Sequence, residues 1–449
     1  MMNKPNIQQA LQAASETEDF ILDEGCRRQT PAVFQRYFPG MKALVVADET
    51  TFDVAGKSVH DHLQAAQIET LEPFVFPGYP TLHAEYANIE QLRDFLKDQP
   101  DTIPIAVGSG TINDIVKRGS YECDRRYMVV ATAASMDGYS SFGAAIVRDG
   151  FKKTLECPAP LVIIADIEIL RDAPPEMTAA GYGDLVSKIP AGADWVIADA
   201  VGVDPFVPAV WEMVQPDLRK WIAAPDKLKT GDSQAFEYLF EGLTMTGFAM
   251  QALRRSRPAS GADHLFSHMW EMQNLTGSQG ETISHGFKVS IGILASTALM
   301  EVVCAREIRQ QDIDAVCRAW KPWEARKADI QQAFQDTPII DRVLAESQAK
   351  YLSVEQLRQR LKSLRTRWQE LCDHVTRQLI PYPELKQMFI AAGCPVTPEQ
   401  INLTRDRVCH TVAPAQMIRN RYTILDLAYE LGWLEACVEE IKHSEIYLC

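Results

Sequence analysis

Between about residues 40 and 170, short apolar runs alternate with amphipathic stretches. The runs cover 43–47, 71–76, 103–107, 128–131 and 161–165, and segment 82–97 sets Leu82, Tyr86, Ile89, Leu92 and Phe95 at helical spacing. Strands rich in Val and Ile that are separated by helices predict parallel βαβ units with helices on both faces. Residues 142–157 break this rhythm and read as an inserted hairpin.

After the segment DAPP at 172–175 the period changes. Segment 233–253 carries Phe236, Leu239, Phe240, Leu243, Gly247, Met250 and Leu253 on one helical stripe, with Asp232 or Ser233 as its cap. Residues 287–305, 324–350, 353–380 and 415–441 also read as helices, and no strand is expected beyond 180. The stretch 215–232 reads as a surface excursion. The pattern therefore predicts an α/β N-terminal nucleotide-binding domain over 1–174, with a mostly parallel sheet. An all-α C-terminal domain is expected over 175–449.

Composition narrows the partners. A chain of 449 residues with 46% hydrophobic and 23% charged positions is globular and long enough for two domains. Its formal charge of −15 argues against a nucleic-acid partner, which needs a basic footprint. A small anionic ligand held by a few local cations stays open. The N-terminal residues show no signal-peptide pattern, and no run approaches the length of a membrane-spanning helix. The ten cysteines are scattered without a Cys-x-x-Cys pair and read as reduced thiols. A cytoplasmic protein without membrane insertion is expected.

The run 103–107 leads into GSGTIND, residues 108–114, and a helix expected to begin at Ile115. Gly108 and Gly110 allow a tight turn, and a helix N-terminus there offers N–H groups and a positive dipole end to a pyrophosphate. The motif is short of the full Gly-x-Gly-x-x-Gly fingerprint, and a plain strand-to-helix turn is the other reading. Asp48 follows the run 43–47, where a carboxylate can accept from an adenosine ribose or equally cap a helix over 51–66. The small, hydroxylic run TAASMDGYSS at 132–141 follows the run 128–131. Ligands of open α/β sheets collect at the carboxyl ends of strands, so these three loops together predict a nucleotide crevice.

The segment SGADHLFSH at 260–268 sets His264 and His268 four apart on one helical face, and His285 follows in TISHGFK at 282–288. Upstream, GYGDL at 181–185 offers Asp184. Two imidazoles and a carboxylate leave open coordination positions, as a catalytic metal requires. Core or surface histidines, and a helix cap at Asp184, are the plain alternatives.

The blocks GSGTINDI, VVATAASMDGYSS, CPAPLVIIADIEIL, AAGYGDLVSK, SGADHLFSH and ISHGFKVSIG, in this order, resemble the sn-glycerol-1-phosphate dehydrogenase family. That family belongs to the superfamily of iron-type alcohol dehydrogenases, glycerol dehydrogenase and 3-dehydroquinate synthase. The resemblance implies a dehydroquinate synthase-like fold and Asp184, His264 and His285 as ligands of one divalent metal. Zinc is the first choice, with iron or nickel as alternatives. It places His268 and Asp137 beside the substrate, with His268 joining the three ligands in the catalytic group. It assigns Gly108, Ser109, Gly110, Thr111, Asn113, Thr132, Ser135 and Ser141 to the cofactor loops, and Asp48 to the ribose of NAD or NADP. The implied reaction is reversible reduction of dihydroxyacetone phosphate to sn-glycerol 1-phosphate, a step of phospholipid metabolism. A small phosphorylated substrate and a homo-oligomer, dimer or larger, follow from the same likeness.

Two features depart from the family pattern. Extra length falls around 200–230 and 305–380, and no phosphate clamp stands out among Lys152, Lys153, Lys188 and Arg257. An NAD-dependent glycerol or polyol dehydrogenase is therefore the nearest rival. A dehydroquinate synthase-like cyclase ranks lower, because ETISHGFKVSIG lacks the neighbouring basic residues that chemistry needs. A metal- and nucleotide-binding regulator without activity is the non-catalytic alternative.

Overall fold

The computed structural model describes residues 5–79, 81–148, 151–335 and 337–449. Among the described residues, eight strands precede residue 170: β1 (Asp19–Asp23), β2 (Lys42–Asp48), β3 (Phe74–Phe76), β4 (Thr102–Gly108), β5 (Met128–Ala131), β6 (Ala144–Arg148), β7 (Phe151–Leu155) and β8 (Val162–Asp166). Six of them form one sheet in the order β1-β8-β5-β4-β2-β3, and every adjacent pair is parallel. The pair β6 and β7 is the expected antiparallel hairpin. Strands β4, β5 and β8 are buried along their whole length, which is why they read as unbroken apolar runs rather than as alternation.

One face of this sheet packs Ala43, Val45, Ala47, Ile103, Ile105, Val107, Met128, Val130, Val162 and Ile164 into a core with Phe34, Val59 and Leu63. From β2 the chain steps outward to β3, then returns to the other side of β2 as β4 and continues to β5 and β8. That reversal makes the carboxyl ends of β2 and β4 a topological switch point, where open α/β sheets bind their ligands.

The described chain falls into two compact units. The first runs to Leu185 and includes Ala209–Pro258, and the second comprises Val186–Pro208 and Ala259–Cys449. The strands end before 174, where the sequence pattern changes, but the helices Gln215–Trp221, Pro225–Lys229 and Ser233–Leu253 are grouped with the sheet. Asp232 caps the last of these by accepting from Ala235 N at 2.9 Å. Within the first unit its Phe240 stacks on Phe20 of β1 at 6.2 Å. The second unit is helical, and its only extended pairing among the described residues is a bridge between Thr276 and Thr282.

Several expectations need correction. Strand β1 escaped the periodic reading because it is a short, half-buried edge strand with an aspartate at each end. The stretch 215–232 is not an excursion: it forms two short helices that bury Leu218, Trp221 and Leu228 while their charged residues face outward. The span 324–350 is two helices, Trp323–Phe334 and Ile340–Ala349, divided around Pro338. The span 415–441 contains the end of Arg405–Met417 and then Ile424–Glu430 and Leu434–Lys442, reset by the Thr423–Asp426 capping box and by Gly432 at positive φ. Contrary to expectation, one helix, His285–Cys304, is long and apolar enough to cross a membrane. Most of it is buried inside the second unit, as the core helix of a bundle is.

Helix Pro175–Val186 meets the loop after β5 at Gly181, where an added Cβ would lie 1.8 Å from the Ala134 carbonyl oxygen. Gly181→Val forces backbone apart at this contact. It is expected to lower stability by about 3 kcal/mol, read as the shift in chemical denaturation midpoint at unchanged slope.

Candidate active site

The loop between β4 and helix Gly110–Tyr121 begins with close packing. A Cβ on Gly108 would sit 2.5 Å from Ile112 Cβ, and one on Gly110 would sit 2.7 Å from Met136 Cε. The helix starts at Gly110, five residues before Ile115, because extended Ser109 occupies its N-cap position. The first-turn N–H groups therefore fall within the GSGT sequence itself. Ser109, Gly110 and Thr111 are partly exposed, whereas Asn113 is buried. Asn113 Oδ1 accepts from the Tyr127 hydroxyl at 3.0 Å, so this side chain is engaged in holding the loop.

Asp48 closes β2 and caps the following turn: its Oδ1 accepts from Thr51 N at 2.8 Å, and Thr51 Oγ1 accepts from Asp48 N at 3.1 Å. Its carboxylate thus serves as the cap that was one of its two readings. Thr132, just after β5, donates its N–H to the Gly108 carbonyl at 3.1 Å, tying two of the three loops together. Ser135 is half-buried, and Ser141 donates its hydroxyl to Gly138 O at 3.2 Å.

Lys117, which sequence reasoning passed over, fastens the third loop. It is buried, and its ammonium donates to the carbonyls of Gly138 at 2.9 Å, Ser141 at 2.9 Å and Gly143 at 3.1 Å. Its sequence signal was a lysine on the inner face of helix Gly110–Tyr121. At the start of the same loop, Asp137 N donates to Asp184 Oδ2 at 2.9 Å. Asp184 is buried near the C-terminal end of helix Pro175–Val186.

In the second unit, His264 and His268 lie one turn apart on helix Ala262–Met272, and His285 is the first residue of His285–Cys304. These helices approach closely because residue 292 is glycine: a Cβ there would lie 2.3 Å from the Asp263 carbonyl oxygen. Asp194, another residue missed from sequence, accepts from Ala262 N at 2.6 Å and from Ile424 N at 2.6 Å, fixing the start of the histidine helix. The ring centroids are 5.2 Å apart for His264 and His285, 6.1 Å for His264 and His268, and 6.3 Å for His268 and His285.

Each ring has a carboxylate at Nδ1. His264 Nδ1 is 2.5 Å from Asp263 Oδ2, His285 Nδ1 is 2.9 Å from Glu271 Oε1, and His268 Nδ1 is 3.7 Å from Glu271 Oε2. Burial pushes the Asp263 carboxyl up to about 7, with the Lys188 charge working the other way. Burial also lowers the His268 pKa, against the pull of Glu271, and so favours a neutral ring. With Nδ1 of His264 and His285 engaged, Nε2 is the nitrogen each can offer a metal. Within the second unit, donor atoms of His264 and His285 lie within 4.8 Å of each other, a separation that suits a shared cation.

Of the basic residues considered for a phosphate, Lys188 and Arg257 are buried, Lys153 is exposed on β7, and the Lys152 side chain lies outside the described residues.

Residues 21–174 match the family described as iron-containing alcohol dehydrogenase. A glycerol-1-phosphate dehydrogenase [NAD(P)+] of Halalkalibacterium halodurans is 35% identical over 265 residues, which are 59% of this chain and 66% of that one. Its counterpart from Geobacillus stearothermophilus is 30% identical over 400 residues, 88% of each chain. The chain belongs to the glycerol-1-phosphate dehydrogenase family. Among solved structures, a probable glycerol dehydrogenase from Sinorhizobium meliloti superposes with a TM-score of 0.59 at 14% identity, covering 95% of this chain and 99% of that one. That likeness is one of fold, and it agrees with the dehydroquinate synthase-like architecture expected from the family.

For this family member, Lys117→Met removes three charge-assisted hydrogen bonds at one stroke. It is expected to cost about 3 kcal/mol in denaturant titration and to speed amide exchange in the 138–143 loop.

Proposed function

We infer that this chain is an NAD(P)-dependent oxidoreductase that interconverts dihydroxyacetone phosphate and sn-glycerol 1-phosphate, with one divalent metal held by Asp184, His264 and His285. The observation that carries this reading is the close pair His264 and His285, each with a carboxylate at Nδ1, in a member of the glycerol-1-phosphate dehydrogenase family. The donor set fits the group: two imidazoles oriented by carboxylates and one buried carboxylate make a site with positions left for water and substrate. When bound, the metal supplies Lewis-acid polarisation of a ketone oxygen, and the nicotinamide supplies the hydride. Zinc is the proposed metal, although two imidazoles and a carboxylate also accept iron(II) or nickel.

The chain's own residues do the rest. Ser109, Gly110 and Thr111 offer first-turn N–H groups to a pyrophosphate, and Gly108 lets the backbone come close. Thr132, Ser135 and Ser141 flank the nicotinamide half, in a loop whose shape Lys117 holds. Asp48, at the carboxyl end of β2, accepts from an adenosine ribose and disfavours a 2′-phosphate, so NAD(H) is the proposed preference. Asp137 accepts from the terminal hydroxyl of the substrate and so selects which ketone face is presented. His268, whose pKa is lowered by burial, relays a proton from solvent, taking it on one ring nitrogen as the other gives its own to the ketone oxygen that becomes the alcohol. A cytoplasmic homo-oligomer, dimer or larger, serving phospholipid synthesis belongs to the same proposal. None of the ten cysteines forms a disulfide, which suits that compartment.

Purified protein is expected to oxidise NADH with dihydroxyacetone phosphate, giving the sn-1 product in a chiral assay, and to turn over unphosphorylated dihydroxyacetone far more slowly. Chelation should abolish activity, and His264→Ala should lower kcat/KM at least about 100-fold. Turnover that survives both treatments sinks the metal-dependent mechanism, and faster turnover of dihydroxyacetone replaces the substrate with a neutral polyol or ketone.

A further inference from the structure

Glu271 is absent from the ligand set, yet it approaches two of the three histidines. It lies on helix Ala262–Met272, three residues after His268, with its side chain 9% exposed. Oε1 is 2.9 Å from His285 Nδ1 and 3.4 Å from Lys288 Nζ, while Oε2 is 3.7 Å from His268 Nδ1. Lys288 is itself buried, one turn after His285 on the neighbouring helix. Two i,i+3 pairs, His268 with Glu271 and His285 with Lys288, therefore meet through one carboxylate.

We propose that Glu271 is a positioning residue that fixes His285 as a metal ligand and His268 as a substrate group at the same time. This rests on the reading that His285 binds a metal. A neutral imidazole carries its proton on one nitrogen, and a carboxylate at Nδ1 holds it there, so that the Nε2 lone pair faces the cation. The Lys288 ammonium, 3.4 Å from Oε1, supplies countercharge to a carboxylate that is largely out of water. Because both oxygens of one rigidly held group are used, a shift of His285 is transmitted to His268. The distance between hydride acceptor site and proton donor is thereby set by Glu271 rather than by either ring alone. Asp263 holds its sequence neighbour His264 and accepts from Gly261 N at 3.0 Å on the same stretch of chain, whereas Glu271 joins two helices.

The test strips the full-length protein with a chelator and titrates zinc back against a chromophoric competitor. Glu271→Gln keeps the shape, but its amide can place a donor against Nδ1. It is expected to weaken zinc binding about 10- to 100-fold and to shrink the zinc-induced rise in melting temperature, each measured from the variant's own metal-free protein. Glu281→Gln, an exposed carboxylate in the segment between the two helices, should bind zinc like the parent. Zinc affinity of Glu271→Gln within twofold of the parent overturns the proposal. If Glu271→Gln does not fold, nitrogen-15 spectra of the metal-free parent decide the matter. A protonated Nδ1 on His285, assigned by its loss in His285→Gln, supports the proposal, and a protonated Nε2 overturns it. A parent that takes up no zinc at all overturns the metal reading itself, a different result from a parent and variant that bind equally well.

Discussion

A histidine that is to bind a metal must present one nitrogen and commit the other, and in this chain buried carboxylates do the committing. Asp263 and Glu271 stand at Nδ1 of His264 and His285 at 2.5 and 2.9 Å. Such pairs are costly to assemble, since a carboxylate taken out of water needs hydrogen bonds and countercharge. The cost is visible at Asp263, whose carboxyl burial pushes up to about 7 even with Lys188 nearby. The surrounding helices can be read as what makes that arrangement affordable: Asp194 pins the start of the histidine helix, and Gly292 lets its neighbour come close enough for the rings to converge.

The same logic of close approach runs through the sheet-bearing unit. Two glycines of the sequence blocks, and one on helix Ser233–Leu253, sit where a side chain has no room: Gly108 against Ile112, Gly181 against Ala134, and Gly247 against Ser140. Each brings backbone against backbone or against a short side chain around the loops that follow β4 and β5. The 137–143 loop is then held from two sides. Lys117 bonds three of its carbonyls, and Ser140 donates to the Thr244 carbonyl at 2.8 Å. A loop of small residues has little packing of its own, so its shape must come from such fixed hydrogen bonds.

What could be read from sequence followed how each feature is encoded. Fully buried parallel strands announce themselves as apolar runs, and four of the five expected ones match β2, β4, β5 and β8 to within a residue. The fifth, 71–76, keeps only Phe74–Phe76 as strand. Edge strand β1 and the small helices of 215–232 carry no strong period, because they bury one side over less than three turns. The histidines and Asp184 stood out as candidates because their residue types are chemically conspicuous in a known order of blocks. Lys117, Asp194 and Glu271 did not, because a lysine, aspartate or glutamate on a helix reads as solvated until tertiary contacts bury it. Asp48 shows the opposite limit: both of its readings were physically sound, and only the Thr51 contact reveals that the cap is made.

The helix that begins with His285 ties these strands of the argument together. It is apolar around its whole circumference, enough to pass for a membrane span, and in this fold that property drives it into the centre of the helical unit. A helix buried on all sides has little freedom to slide or rotate, because every ridge is packed against a neighbour. Its first residue, His285, is half-buried at the end of a firmly packed helix. The two exceptions to its apolar surface near that end are Lys288, which reaches Glu271, and Ser290, which donates back to the Gly286 carbonyl at 2.7 Å. Hydrophobic burial fixes the helix, one ion pair fixes the carboxylate, and the carboxylate fixes the ring. The position of a reactive nitrogen is thus set by the driest part of the molecule.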